Sequence, residues 1–151
     1  MVTQEDKLRV LCKIAKVFND KGIVWAVGAS LLLFFLKRTD DFHDIDIMIA
    51  EDDIEKTKSA MNDLGQLQPP NRVNRYRTKC FLEYKIGEVD IDLMAGFVIV
   101  KDGNEYQCEF DKTHIGSIIQ CQGESIPLQR LEDWHRYYEL MDRPQKAEMS
   151  K

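Results

Sequence analysis

Asp44 and Asp46 lie one residue apart in the run HDIDIMIA, and a second Asp-x-Asp, Asp90 and Asp92, recurs in VDIDLMAGF. Successive strand residues point to opposite faces, so each pair projects its carboxylates to one side while the intervening isoleucines face the other. Charge on a half-buried strand is costly unless a cation meets it. If the two strands are neighbours, three or four carboxylates converge, and like charges so close cannot all stay ionised. Divalent cations that prefer oxygen resolve the conflict, and magnesium in particular is held by a few carboxylates plus substrate phosphates. Two such ions can activate an attacking oxygen and stabilise a leaving one. Upstream, Gly28-Ala29-Ser30 separates an apolar run from the start of a predicted helix. Free backbone N–H groups at such a corner favour phosphate. Gly28 permits close approach of backbone to ligand, and the Ser30 hydroxyl can donate to a phosphate oxygen. Metal-binding aspartates beside a phosphate cradle amount to a phosphoryl- or nucleotidyl-transfer site.

These groups need a scaffold, and the periodicity supplies one. Leu8, Leu11, Ile14, Val17 and Phe18 fall on one face of a helix predicted over Thr3 to Asp20, with Thr3 and Asp6 as a capping pair and Gly22 as its stop. Ile23 to Val27 reads as a short buried strand, 31–37 as a helix entered from Ser30, and Asp44 to Ala50 as a second strand. EDDIEKTKSAMNDLG reads as a helix with acidic residues at its start, and QLQPPNRVNRYRTK as a loop made locally basic by Arg72, Arg75, Arg77 and Lys79. KCFLEYKI and VDIDLMAGF flank Gly87-Glu88, a pair that suits a type II′ hairpin. Pairing Ile86 with Val89 sets Lys85 opposite Asp90 and Glu83 opposite Asp92 on a charged face, and leaves the other face apolar. A further hairpin turns at Asp102-Gly103, and a closing helix lies at about 130–142 with Leu131, Trp134, Tyr138 and Met141 inward. Strands alternate with helices early and form hairpins later, so the expected fold class is α+β, a mixed sheet flanked by helices in a single domain spanning 1–151.

Composition narrows the function classes. The formal charge is −5, which disfavours non-specific nucleic-acid binding and does not repel a cationic small molecule. Four scattered cysteines without a Cys-x-x-Cys pair argue against a zinc site or a disulfide framework. Without a span-length apolar run or a secretory layout, the expectation is a cytoplasmic protein with no membrane partner.

VGAS…HDIDI followed by VDIDLMAGF resembles the signature of the nucleotidyltransferase superfamily that includes the DNA polymerase beta palm. The likeness spans roughly 22–97 and is nearest to small bacterial members, the lincosamide and aminoglycoside nucleotidyltransferases and the minimal toxin-type enzymes. A weaker likeness runs through IPLQRLEDWHRYYELMDRP, although related endings carry Lys where Tyr138 stands and Asp after Arg-Pro-Lys. The resemblance implies the nucleotidyltransferase fold and a Mg²⁺-dependent transfer, with two ions, of a nucleoside monophosphate from an NTP such as ATP to an acceptor hydroxyl. It implies Asp44, Asp46 and Asp92 as catalytic metal ligands with Asp90 in reserve, and Gly28, Ala29 and Ser30 as nucleotide-binding residues. Arg38 could reach a triphosphate, and Glu83, set beside Asp92, is a candidate general base. The acceptor by analogy is a small hydroxylated antibiotic-like molecule, and a homodimer could complete its site. The rival readings are a toxin-like enzyme acting on tRNA or protein, and a non-catalytic interaction protein that keeps the fold.

Overall fold

The computed structural model describes residues 2–70 and 78–151. The basic positions Arg72, Arg75 and Arg77 lie outside the described residues. Thr3 caps the first helix, α1 (Gln4–Asp20), through a reciprocal capping box with Asp6, and Gly22 in left-handed conformation turns the chain into β1 (Trp25–Val27). There follow α2 (Ala29–Phe35), β2 (Ile45–Ile49), α3 (Ile54–Leu64), β3 (Gln66–Leu67), β4 (Cys80–Ile86) and β5 (Val89–Ala95). The hairpin β6 (Phe97–Lys101) and β7 (Asn104–Cys108) forms a separate two-stranded sheet. The chain ends with β8 (Ile115–Cys121), β9 (Glu124–Gln129), α4 (Leu131–Leu140) and α5 (Pro144–Met149). The main sheet has seven strands in the order β3-β4-β5-β2-β1-β9-β8.

The sheet is mixed, with β2 parallel to β5 and β1 parallel to β9 while the other neighbours run antiparallel. Its β4–β5 hairpin has the register expected from alternation, Ile86 facing Val89 across a turn at Gly87 (φ 60°). Ile45, Ile47, Tyr84, Ile91 and Leu93 point to one face and are buried. The Tyr84 hydroxyl donates to Asn62 Oδ1 of α3 (3.1 Å), which places α3 over that apolar face, with α1 packed beside it. The carboxylates therefore occupy the opposite face.

Three expectations change. The stretch beginning QL is not wholly loop, because Gln66 and Leu67 pair with Lys85 and Tyr84 before Pro69-Pro70 end the ladder. The β8–β9 hairpin and α5 have no counterpart in the sequence reading. Pro127 inside β9 masks that strand, and its partner β1 is a hundred residues away in parallel alignment, a pairing no local period reveals.

Asp133, in the first turn of α4, is buried and ties β9 to α4. It accepts from Arg130 Nη2 (2.7 Å) and from Gln129 Nε2 (3.2 Å), and its other contact is His114 Nδ1 (2.8 Å). Burial pushes the Asp133 carboxyl up, but the hydrogen bonds from Arg130, His114 and Gln129 outweigh it and hold it below the usual range. A carboxyl lowered in the folded state adds stability that is complete above its unfolded value and vanishes as the pH falls through the folded one. Asp133→Asn is expected to cost about 1–3 kcal/mol at neutral pH, with the gap to the unsubstituted protein closing below about pH 4. Urea melts at several pH values check it, and a gap that stays constant down to acid pH refutes the carboxylate's role.

Candidate active site

β2 and β5 lie side by side with Asp46 level with Asp92, and β4 adds Glu83 directly across from Asp92. One row of the sheet thus carries three carboxyl groups on three adjacent strands, with Asp44 just before β2. The next row of this face is Met48, Met94 and Phe81. Asp90 is exposed and paired with Lys85 Nζ at 3.6 Å.

The corner Gly28-Ala29-Ser30 abuts this row. The Gly28 N–H donates to the Asp46 carbonyl (2.9 Å), so the two motifs meet through the backbone. Ala29 has φ 53°, the left-handed region that costs a non-glycine residue roughly 1–2 kcal/mol; strain of this kind concentrates at functional corners. A Cβ on Gly28 would fall 2.5–2.6 Å from the Trp134 indole, so only glycine fits beneath that ring. α2 is seven residues long and starts at Ala29.

A cleft of about 340 Å³ opens between corner, acidic row and C-terminal segment. Ala29, Ser30, Asp44, Asp46 and Asp92 line it together with His43, and Arg143 and Lys146 reach it from the start of α5. Phe81, Met94, Phe97, Trp134, Tyr138 and Met141 form its apolar wall. Asp90, Glu83 and Arg38 are not among the lining residues. Arg38 instead donates to the carbonyls of Met149 and Lys151, pinning the end of α5. The sequence assigns Arg143 and Lys146 no site role, because cations in a polar tail look like any solvated charge and the departure after Arg143-Pro144 argues against substrate contacts there.

The electrostatics are those of crowded acids. Burial and the neighbouring Asp92 and Asp44 charges push Asp46 well above the usual carboxylate range, while Arg143 pulls the other way. Burial and Asp44 raise Asp92 to about 6, and burial and Asp90 raise Asp44. The Asp46 and Asp92 carboxyls also act on each other through a hydrogen bond, which raises Asp46 and lowers Asp92. A cation between two facing carboxylates would neutralise both. Among the described residues no group of three or more His, Cys, Asp or Glu side chains is arranged to hold a metal ion. An open set of facing oxygen donors suits magnesium, which keeps several waters and adds substrate phosphates to one or two carboxylates.

No protein-family model matches the sequence, and no curated protein sequence matches it. Solved structures do. A Thermotoga maritima protein assigned as a nucleotidyltransferase superposes with a TM-score of 0.74 at 23% identity, over 97% of this chain and 91% of that one. The lincosamide antibiotic adenylyltransferase LnuA, solved with lincomycin bound, gives 0.64 at 14% identity, over 99% and 96%. ANT(2″)-Ia in complex with adenylyl-2″-tobramycin gives 0.63 at 13% identity, over 95% and 86%. The chain has the α+β fold of these nucleotidyltransferases, over nearly its whole length and theirs. Among the described residues no helix is long and apolar enough to cross a membrane.

Proposed function

We propose that this protein is a Mg²⁺-dependent nucleotidyltransferase that moves a nucleoside monophosphate from an NTP to a hydroxyl of a small acceptor and releases pyrophosphate. The observation that carries the reading is the cleft in which Ser30, three raised carboxyls and two cations face one another. Asp44, Asp46 and Asp92 would hold the metal, and Asp90, paired with Lys85, would lie outside it. Magnesium bound there would supply charge against the triphosphate and acidify the acceptor hydroxyl. Ser30 donates to a phosphate oxygen at the Gly28 corner, while Arg143 and Lys146 neutralise the leaving pyrophosphate from the far wall. The aromatic and methionine wall offers a surface for the base and excludes water around the reacting phosphate. Glu83, level with Asp92 but outside the cleft lining, would take the proton of an acceptor that enters over Phe81.

The cleft is at the small end of ligand sites, room for a nucleotide with the acceptor at its rim. Lincomycin and adenylylated tobramycin, the compounds bound in two of the similar structures, are both hydroxylated antibiotics. We therefore place the acceptor in that chemical class. The test is to incubate each radiolabelled NTP and Mg²⁺ with pooled hydroxylated antibiotics, with tRNA, and with protein extract. Label is expected in the small-molecule fraction. Label on tRNA or protein moves the substrate class, and absence of both transfer and Mg·NTP binding overturns the enzyme reading.

Arg143→Ala and Lys146→Ala are each expected to weaken Mg·NTP binding by roughly 10- to 100-fold, the equivalent of one charge-assisted contact. Their melting temperatures should stay within a few degrees of the unsubstituted protein. Calorimetric titration measures this, and unchanged affinity in both removes the tail from the triphosphate site.

A further inference from the structure

Gln129, the last residue of β9, is 1% exposed, and its side-chain amide is fully committed. Nε2 donates to Asp133 Oδ2 (3.2 Å) and to the Tyr137 hydroxyl (3.3 Å). Oε1 accepts from the Trp134 indole Nε1 (2.8 Å). This orientation has no alternative: the indole can only donate, and the Asp133 carboxylate, already gripped by Arg130 and His114, can only accept. The amide is therefore a fixed part whose carbonyl must face Trp134.

The indole edge it holds, Nε1 with Cε2 and Cζ2, is the same edge that leaves no room for a Cβ on Gly28. Phe97 stacks on Trp134 at 6.3 Å, and Tyr137 and Tyr138 abut it at 5.1 and 5.5 Å, so the ring has little freedom to tilt away from its partner. Gly28 in turn is bonded to the Asp46 carbonyl and carries Ser30 two residues on. A continuous set of contacts runs from a buried amide to the corner of the cleft. An indole N–H left unpaired in the interior is strongly unfavourable; with an apolar side chain at 129 the ring must re-seat, and the corner under it loses its wall.

We propose that Gln129 is a positioning residue for the phosphate corner: its hydrogen bond fixes the Trp134 edge against which Gly28 and Ser30 are set, and thereby fixes affinity for the phosphates of a nucleoside triphosphate. The inference rests on the nucleotidyl-transfer reading and adds to it a residue that touches neither metal nor nucleotide.

The experiment titrates Mg²⁺ with a non-hydrolysable ATP analogue into the unsubstituted protein, Gln129→Leu, Trp134→Phe and the double variant, with thermal melts alongside. Each single substitution is expected to lower affinity about tenfold, the equivalent of one hydrogen bond's worth of positioning. The double variant should bind no worse than Trp134→Phe alone, because Gln129 acts through the indole. Gln129→Leu that binds as tightly as the unsubstituted protein, even with a lowered melting temperature, overturns the inference, as do two effects that multiply. Should Gln129→Leu fail to fold, Trp134→Phe alone removes the same hydrogen bond with the amide intact, and unaltered affinity there is equally fatal. An unsubstituted protein that binds no nucleotide is a different failure, that of the nucleotidyl-transfer reading itself.

Discussion

Asp46→Asn is expected to reduce nucleotidyl transfer by at least about a thousandfold while raising the melting temperature of the metal-free protein. The first half follows from its place: Asp46 is level with Asp92, bonded through its backbone to the Gly28 corner, and inside the cleft. With Asp46 as a metal ligand, as proposed, its loss forfeits several kcal/mol of charge stabilisation, and each 1.36 kcal/mol is tenfold in rate. The second half follows from the crowding. With Asp44, Asp46 and Asp92 all held above the usual carboxylate range, their ionised forms push against the folded state at neutral pH. A neutral amide relieves that repulsion, and a gain of about 1 kcal/mol moves a domain of this size by about 2–4 °C. Label transfer and thermal melts without metal measure the two halves. Asp90→Asn serves as the contrast, since Asp90 is exposed and paired with Lys85; it should leave transfer nearly unchanged. Equal activity in Asp46→Asn and Asp90→Asn would remove the carboxylate row from the chemistry.

A single methyl group at position 28 should be nearly as damaging, by a different route. Gly28→Ala places its Cβ within 2.6 Å of the indole, a distance at which something must shift. The ring is held by Gln129 and wedged among Phe97, Tyr137 and Tyr138, so the shift falls on the corner. Overpacking of this kind costs about 1–3 kcal/mol. Displacing a positioning element by an ångström costs on the order of a hundredfold in rate. Adding Trp134→Leu to Gly28→Ala removes the obstruction, so the pair should destabilise by less than the sum of the two single substitutions, without restoring transfer. If Gly28→Ala melts normally, or the two losses simply add, the ring does not constrain the corner.

Much of the sheet was legible in the sequence because alternation in β4 and β5 admits one register. Placing Tyr84 and Ile91 inward forces Glu83 and Asp92 to face each other outward. The capping box at Thr3 and the left-handed Gly22 were equally local and equally readable. What escaped was non-local. Gln129 is a polar residue in a strand interrupted by Pro127, and nothing in IPLQ signals that its amide will meet an indole five positions on. Arg143 and Lys146 needed the turn at Asp142 (φ 57°) to bring α5 back over the cleft. Arg38 shows the converse: it sits three residues beyond α2, the helix that follows the Gly28 corner, yet it reaches the far end of the chain and holds Met149 and Lys151.

The alternation along β2 has a consequence for tolerance to change. Ile45, Ile47 and Ile49 are sealed on one side, with Asp46 between the first two on the other. Sliding this strand by a single step would bury the acid and expose the oil, so no half-aligned intermediate could be both folded and competent. Correct assembly of the interior therefore proofreads the cleft, and an insertion or deletion within 45–49 should never yield a stable but merely weakened protein.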